Sequence, residues 1–201
     1  MKVRLNFVEE VLGTASANPD IHREFIAANG PDAKTRKEEV EAIGVDTVVE
    51  KSTTVFPRDA DGDPMFWDYQ IKGFFKDACS MLARVGGKGN PQNLSGKLKA
   101  YKKVIDGMVF VAPRKIKVVI PEGMTLGNCQ RPLRGQTAQG ERIALANSET
   151  IPAGSVIEFE VKLLDKQHEK LVREWLDYGV FRGIGQWRNS GKGRFEWEEV
   201  G

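Results

Sequence analysis

Residues 156–163 constrain the fold more than any other stretch, because Ile157, Phe159, Val161 and Leu163 alternate with Glu158, Glu160 and Lys162. A period of two puts the apolar set on one face and the charges on the other, the pattern of a strand covered on one side only. Asp165 then stands as a helix cap, Leu171, Val172, Trp175 and Leu176 fall on one helical face, and Gly179 offers a left-handed stop. The stretch that follows, GVFRGIGQWRNSGKGRFEWEEV, places Gly183, Gly185, Gly191 and Gly193 among Arg182, Arg188, Lys192 and Arg194 before a final strand over 194–199. Strand, helix, glycine loop and strand in this order predict an α+β chain with the loop at the edge of a sheet.

Glycines this dense signal a main chain that needs positive φ or lets another molecule come close. With those cations and Trp187 between them, the molecule expected is a polyanion with stackable bases. The alternative is a hairpin with solvated charges. A nucleotide-binding P-loop does not fit. Five residues separate Gly185 from Gly191, and Gly193 follows Lys192 where a magnesium-holding Ser or Thr belongs. The loop also leaves a helix instead of opening one, so no helix N-terminus faces a phosphate.

At 201 residues the chain is long enough for one sizeable core, or for one domain with a large insertion. Its 30 basic and 28 acidic residues nearly cancel, so basic residues matter only where they cluster. Cys79 and Cys129 form no CxxC pair and lie far from His22 and His168, which gives neither a disulfide framework nor zinc spacing. No metal and no cofactor are expected. Residues 1–12 mix Lys2, Arg4 and Asn6 with apolar positions, unlike a signal peptide, and no apolar run is long enough to cross a bilayer. The expectation is a cytoplasmic protein without a membrane partner.

The chain opens with a strand on which Val3, Leu5 and Phe7 alternate with Arg4 and Asn6, and which continues loosely to Leu12. Residues 13–17 turn out of the sheet, residues 21–26 predict a short helix, and residues 30–49 form a charged insertion with a second peripheral helix. Residues 48–56 predict a strand and residues 57–64 an Asp-Gly turn. Residues 66–84 hold the strongest helix of this half, with Ile71, Phe74, Phe75, Ala78 and Leu82 on one face and Lys72, Lys76 and Arg84 on the other. The glycine-rich basic stretch 86–103 has no apolar period; beside the lysine face it is a second candidate for phosphate contact. Residues 104–111 and 116–120 predict strands of a meander across Pro113, and 121–140 a loop holding Arg131 and Arg134. The chain re-enters the sheet at 141–145 and turns at Pro152-Ala153-Gly154.

In this order the pieces resemble the RAMP superfamily of CRISPR RNA-binding proteins, most closely its backbone-type subunits. Four landmarks carry the resemblance: VRLNFVEEVLGTASA at the start, PMFWDYQIKGFFKDA over 64–78, IPAGSVIEFEVKLL over 151–164, and GVFRGIGQWRNSGKGRF over 179–195. They span the whole chain. One departure is that Asp68-Tyr69-Gln70 replace a small Gly-Ser-Ser, which leaves Lys72 and Gly73 as the matched pair of that motif. The resemblance implies a ferredoxin-like (RRM-like) antiparallel sheet with helices on one face, thumb-like insertions at about 18–47 and 86–103, and a C-terminal glycine-rich loop, all in one domain over 1–201.

Three functions follow as expectations. The first is a non-catalytic RNA-binding subunit that holds single-stranded guide RNA, with other RAMP-like subunits or copies of itself as partners. Its contacts would come from Lys72, Lys76, Arg131, Arg134, Arg182, Gly183, Gly185, Trp187, Arg188, Gly191, Lys192, Gly193 and Arg194. Trp187 is the stacking candidate, while Trp175 and Trp197 lie on predicted regular elements and are core residues. The second is an endoribonuclease, since some RAMP relatives cut RNA with a histidine near the first strand or with an aspartate and a divalent metal. His22 and Asp20 are its candidates, and neither belongs to a matched motif. The third is a decoy or inhibitor that binds the proteins of a defence complex. The setting implied is antiviral defence, in a host, a phage or a prophage.

Overall fold

The computed structural model describes residues 1–16, 53–85, 93–137 and 140–201, with backbone alone for 16, 133–137 and 140–145. Strand β1 (Lys2–Phe7) buries Val3, Leu5 and Phe7 and turns Lys2, Arg4 and Asn6 to the other face. The chain then changes sheet. β2 (Val11–Leu12), β3 (Ala15–Ser16) and β4 (Thr54–Val55) belong to a second sheet, so the first strand does not run on to Leu12. The expected helices over 21–49 lie outside the described residues. Asp59 organises the turn that follows: its Oδ1 accepts from the Asp61 and Asp63 amides at 3.0 and 2.9 Å, and Gly62 takes φ +85°.

β5 (Met65–Trp67) leads into α1 (Asp68–Leu82), so the first residues of the helix predicted over 66–84 are strand. Ile71, Phe74, Phe75, Ala78 and Cys79 of α1 are buried, the apolar stripe that the sequence carries. The basic stretch predicted as a loop is in part helical. Asn93 donates to the Leu82 and Val85 carbonyls at 3.0 and 2.9 Å, and its Oδ1 accepts from the Gly96 amide at 2.7 Å, which closes the end of α1 and caps α2 (Leu94–Lys97). Buried Ser95 accepts from Trp175 Nε1 at 3.0 Å and so pins α2 to the core. α3 (Tyr101–Met108) follows and takes in residues that the sequence assigns to a strand.

β6 (Val109–Ala112) and β7 (Lys115–Val119) come next, followed by the hairpin of β8 (Gly127–Thr137) and β9 (Gly140–Ile151). The predicted loop over 121–140 is thus largely strand. β10 (Val156–Leu163) comes next, then α4 (Glu169–Arg182) after a turn capped by Asp165, and finally β11 (Phe195–Glu199). β6 and β7 both pair with β10, through 160–163 and 156–157 respectively, so they share one place beside it and are not a meander, and β5 pairs with the outer side of β7.

The main sheet runs β11-β1-β10 with β6 and β7 next to β10, and each of these pairings is antiparallel. α1 and α4 cover one face. Their apolar sides meet Val3, Leu5, Phe7, Ile157, Phe159, Val161 and Phe195 in a single core, with the Phe75 and Trp175 rings 5.5 Å apart. Helix α4 runs past Gly179 to Arg182. Gly179 is not the stop but the floor under Phe195, since a Cβ there would lie 2.1 Å from the phenylalanine Cζ. The result is an α+β fold whose loop after α4 returns to the sheet beside β1.

Candidate nucleic-acid interface

The glycine loop is built from its own backbone contacts. Gly183 ends α4 at φ +70°, the Ile184 amide donates to the Gly193 carbonyl at 2.9 Å, and the Gly193 amide donates to the Glu10 carbonyl at 2.9 Å. A Cβ on Gly193 would lie 1.8 Å from the Ile184 carbonyl oxygen, and one on Gly183 2.6 Å from Lys192 O. For these two the close approach that the sequence implies is made by the chain itself. Gly185 packs on Val11 and Leu12, and Gly191 alone of the four has ordinary room, with the Arg194 side chain 3.6 Å away.

Trp187 sits on this frame with φ +55°, a left-handed conformation that costs a non-glycine residue about 1 kcal/mol or more. Its ring is 41 % exposed, whereas Trp175 is buried and Trp197 is half-buried with Nε1 donating to Asp177 Oδ1 at 2.9 Å. Arg131, from β8, lies under the Trp187 ring with its guanidinium carbon 5.3 Å from the centroid. The arginine is buried and donates to Gln186 Oε1 at 2.7 Å and to Ser148 Oγ at 3.3 Å, while Gln186 Nε2 donates to the Gly13 carbonyl at 2.9 Å. Arg131 therefore reaches the loop from the second sheet and supports the tryptophan from below. Arg134 is on the same strand, paired with Ile143, and its side chain lies outside the described residues.

Three of the four loop cations are already paired. Asp77 Oδ2 on α1 lies 2.6 Å from Arg188 Nη1 and 3.4 Å from Arg182 Nε, and Arg182 Nη1 also donates to Asn189 Oδ1 at 2.6 Å. Lys192 Nζ lies 2.5 Å from Glu10 Oε1, and that hydrogen bond holds the lysine above its ordinary pKa. Arg194 is exposed and has no carboxylate partner among the described residues. Between α1 and the loop runs a groove of about 220 Å³, lined by Thr14, Gln70, Gly73, Asp77, Gly185 and Arg188. Gly73 keeps it open, with nothing within 4 Å of where its Cβ would be.

Lys72 and Lys76 are not part of this groove. They turn to α3, where Lys72 Nζ donates to the Asp106 carbonyl at 3.0 Å and Lys76 Nζ lies 2.6 Å from Asp106 Oδ1, which lowers the Asp106 pKa. His22 and Asp20 lie outside the described residues. Among the described residues no cluster of His, Cys, Asp and Glu is grouped to hold a metal ion, and no helix is long and apolar enough to cross a membrane.

Over its strands β1, β10 and β11 the open face of the main sheet offers an RNA strand little. Glu158, Glu160, Glu196 and Glu198 outnumber Lys2, Arg4 and Lys162 there, and Arg4 is held by Glu158 and Glu198 at 2.7 Å each. Its strands β1, β10 and β11 turn no aromatic ring to that side, Trp197 and the phenylalanines being on the helix side with Leu5 and Phe7. Against these three strands, charge and stacking surface favour the loop edge.

Among known proteins, no family model matches the sequence and no curated protein matches it. The fold does have a counterpart. It is similar to a chain in the cryo-EM structure of the Type III-B Cmr-beta bound to cognate target RNA, with a TM-score of 0.55 and 10% sequence identity. All of this chain is covered, and it spans 59% of the length of that one.

Proposed function

We propose that this chain is a non-catalytic RNA-binding subunit of a CRISPR-type ribonucleoprotein that holds single-stranded guide RNA by phosphate contacts and base stacking at the groove between α1 and the glycine loop. The observation that carries the proposal is Trp187. A non-glycine residue in a left-handed conformation, exposed on its outer side and backed by a buried arginine, is ordered at a cost that packing does not explain. An aromatic face of this kind takes a base of any sequence. Arg188 and Arg182 give Asp77 one donor each, and each guanidinium has five, so a phosphate joins the pair without displacing it.

The ferredoxin-like reading is supported by the strand order β11-β1-β10-β6, in which each of the two β-α-β crossovers skips one strand. The RAMP reading, with the loop of 183–193 as its glycine-rich element, is supported by the likeness in fold to a chain of an assembly bound to target RNA. The protein partners it implies are other RAMP-like subunits or further copies of the chain, and the compartment is the cytoplasm. The test is the affinity for unstructured single-stranded RNA at two salt concentrations. Arg188→Ala and Lys192→Ala should each weaken binding and flatten the salt slope by about 0.7, and Trp187→Ala should weaken it with the slope unchanged. Unaltered affinity in all three, with a lowered melting temperature for Trp187→Ala, would make the loop a structural hairpin.

A further inference from the structure

We infer that a second RNA contact lies at the start of α1, where Trp67, Tyr69, Arg114 and Lys115 meet, and that it takes one base and the adjoining phosphates of the same single strand. The inference rests on the RNA-binding reading above. Trp67 and Tyr69 stack with their ring centroids 6.2 Å apart and an interplanar angle of 13°, and Tyr69 is 60% exposed. The Arg114 guanidinium carbon and Lys115 Nζ each lie 5.8 Å from the Trp67 centroid. Both cations are exposed, and among the described residues neither has a carboxylate partner, in contrast with Arg182, Arg188 and Lys192 of the loop. Lys117, two residues on, is by contrast paired, with its Nζ 2.5 Å from Asp63 Oδ2.

Backbone contacts hold the cluster in place. The Trp67 amide donates to Gln70 Oε1 at 2.7 Å, the Asp68 amide donates to the Arg114 carbonyl at 3.0 Å, and Trp67 pairs with Lys115 between β5 and β7. Four side chains that are already positioned lose little freedom when a ligand arrives. Gln70, beside Tyr69, lines the groove that ends at Arg188, and the helix from Tyr69 to Asp77 is about 12 Å long, so one strand can reach both places. The chemistry selects the ligand. An exposed ring with two unpaired cations at its side matches a base followed by phosphate, while an apolar protein surface would bury both charges without a counter-charge.

Binding of fluorescein-labelled oligouridine, followed by anisotropy at two salt concentrations, tests this. Tyr69→Ala should weaken binding about 5-fold or more without changing the salt slope, and Tyr69→Phe should bind as the unchanged protein does. The Arg114→Ala, Lys115→Ala double variant should flatten the slope by about 1.4. Unchanged affinity in Tyr69→Ala and in the double variant, with Arg188→Ala still weakened, overturns this inference and leaves the loop reading intact. Failure of the unchanged protein to bind RNA overturns both. RNA affinity retained in variants that lose association with an acidic protein would place a protein there and overturn the second contact.

Discussion

Replacing Asp77 with asparagine keeps the shape of the side chain and removes the charge that the two loop arginines share. Its Oδ2 is 2.6 Å from Arg188 and 3.4 Å from Arg182, and the three side chains are 24–29% exposed. A phosphate on the far edge of either guanidinium would lie roughly 7 Å from this carboxylate, and two like charges at that distance repel by about 0.6 kcal/mol in water and about 2.4 kcal/mol at an effective dielectric near 20. Asp77→Asn should therefore tighten RNA binding between about 3-fold and about 50-fold, with the partial exposure favouring the lower part of that range. A partly exposed ion pair contributes about 1 kcal/mol at most, so the melting temperature should fall by no more than about 4 °C. Anisotropy with labelled oligouridine and a thermal melt give both quantities. Weaker binding by Asp77→Asn at low salt would mean that the carboxylate holds the arginines in their working positions, and the electrostatic reasoning would be refuted.

Two further predictions concern the loop's own frame. Gly193→Ala must move the Ile184 carbonyl and break both backbone bonds of Gly193, so it should cost about 3 kcal/mol or more, whereas Gly191→Ala meets only the strain of its positive φ, about 1 to 2 kcal/mol; equal losses in denaturant melts would refute this account of the loop. Because Glu10 raises the Lys192 pKa in the folded state, the stability this pair adds is fully present below the unfolded lysine value and disappears as pH rises through the folded one. Unchanged protein and Glu10→Gln should accordingly differ in urea stability at neutral pH and converge once pH exceeds the raised lysine value, and a difference that persists there would contradict the linkage.

The parts of this fold that were legible in the sequence are those whose burial follows a simple period. Ile157, Phe159 and Val161 alternate and are buried on one side of β10, and Leu171, Val172, Trp175 and Leu176 make the inner face of α4. β8 was hidden because GNCQRPLRGQT has no alternation, with Pro132 inside it and the buried side chain at Arg131 charged. α2 was hidden because its four residues are set by the Asn93 caps and not by a period. At the candidate site the residue types were readable and their partners were not. Arg188 meets Asp77 and Lys192 meets Glu10 across 111 and 182 positions of sequence, a distance over which spacing carries no signal. Density of glycine likewise says that something approaches the backbone, not that it is the Ile184 carbonyl. Trp67 and Tyr69 fall at the start of the helix predicted over 66–84 and outside its apolar stripe; the adjacent cations Arg114 and Lys115 after Pro113 were the available hint of a second patch.

The most direct test of RNA binding is the affinity of the unchanged protein for unstructured single-stranded RNA between about 50 and 200 mM salt. With three to five phosphates held by the groove, the loop and the Arg114–Lys115 patch, log K should fall linearly with log salt at a slope of about −2 to −3.5, with little dependence on base sequence. No saturable binding at the lowest salt, or binding whose strength is indifferent to salt, would contradict the account.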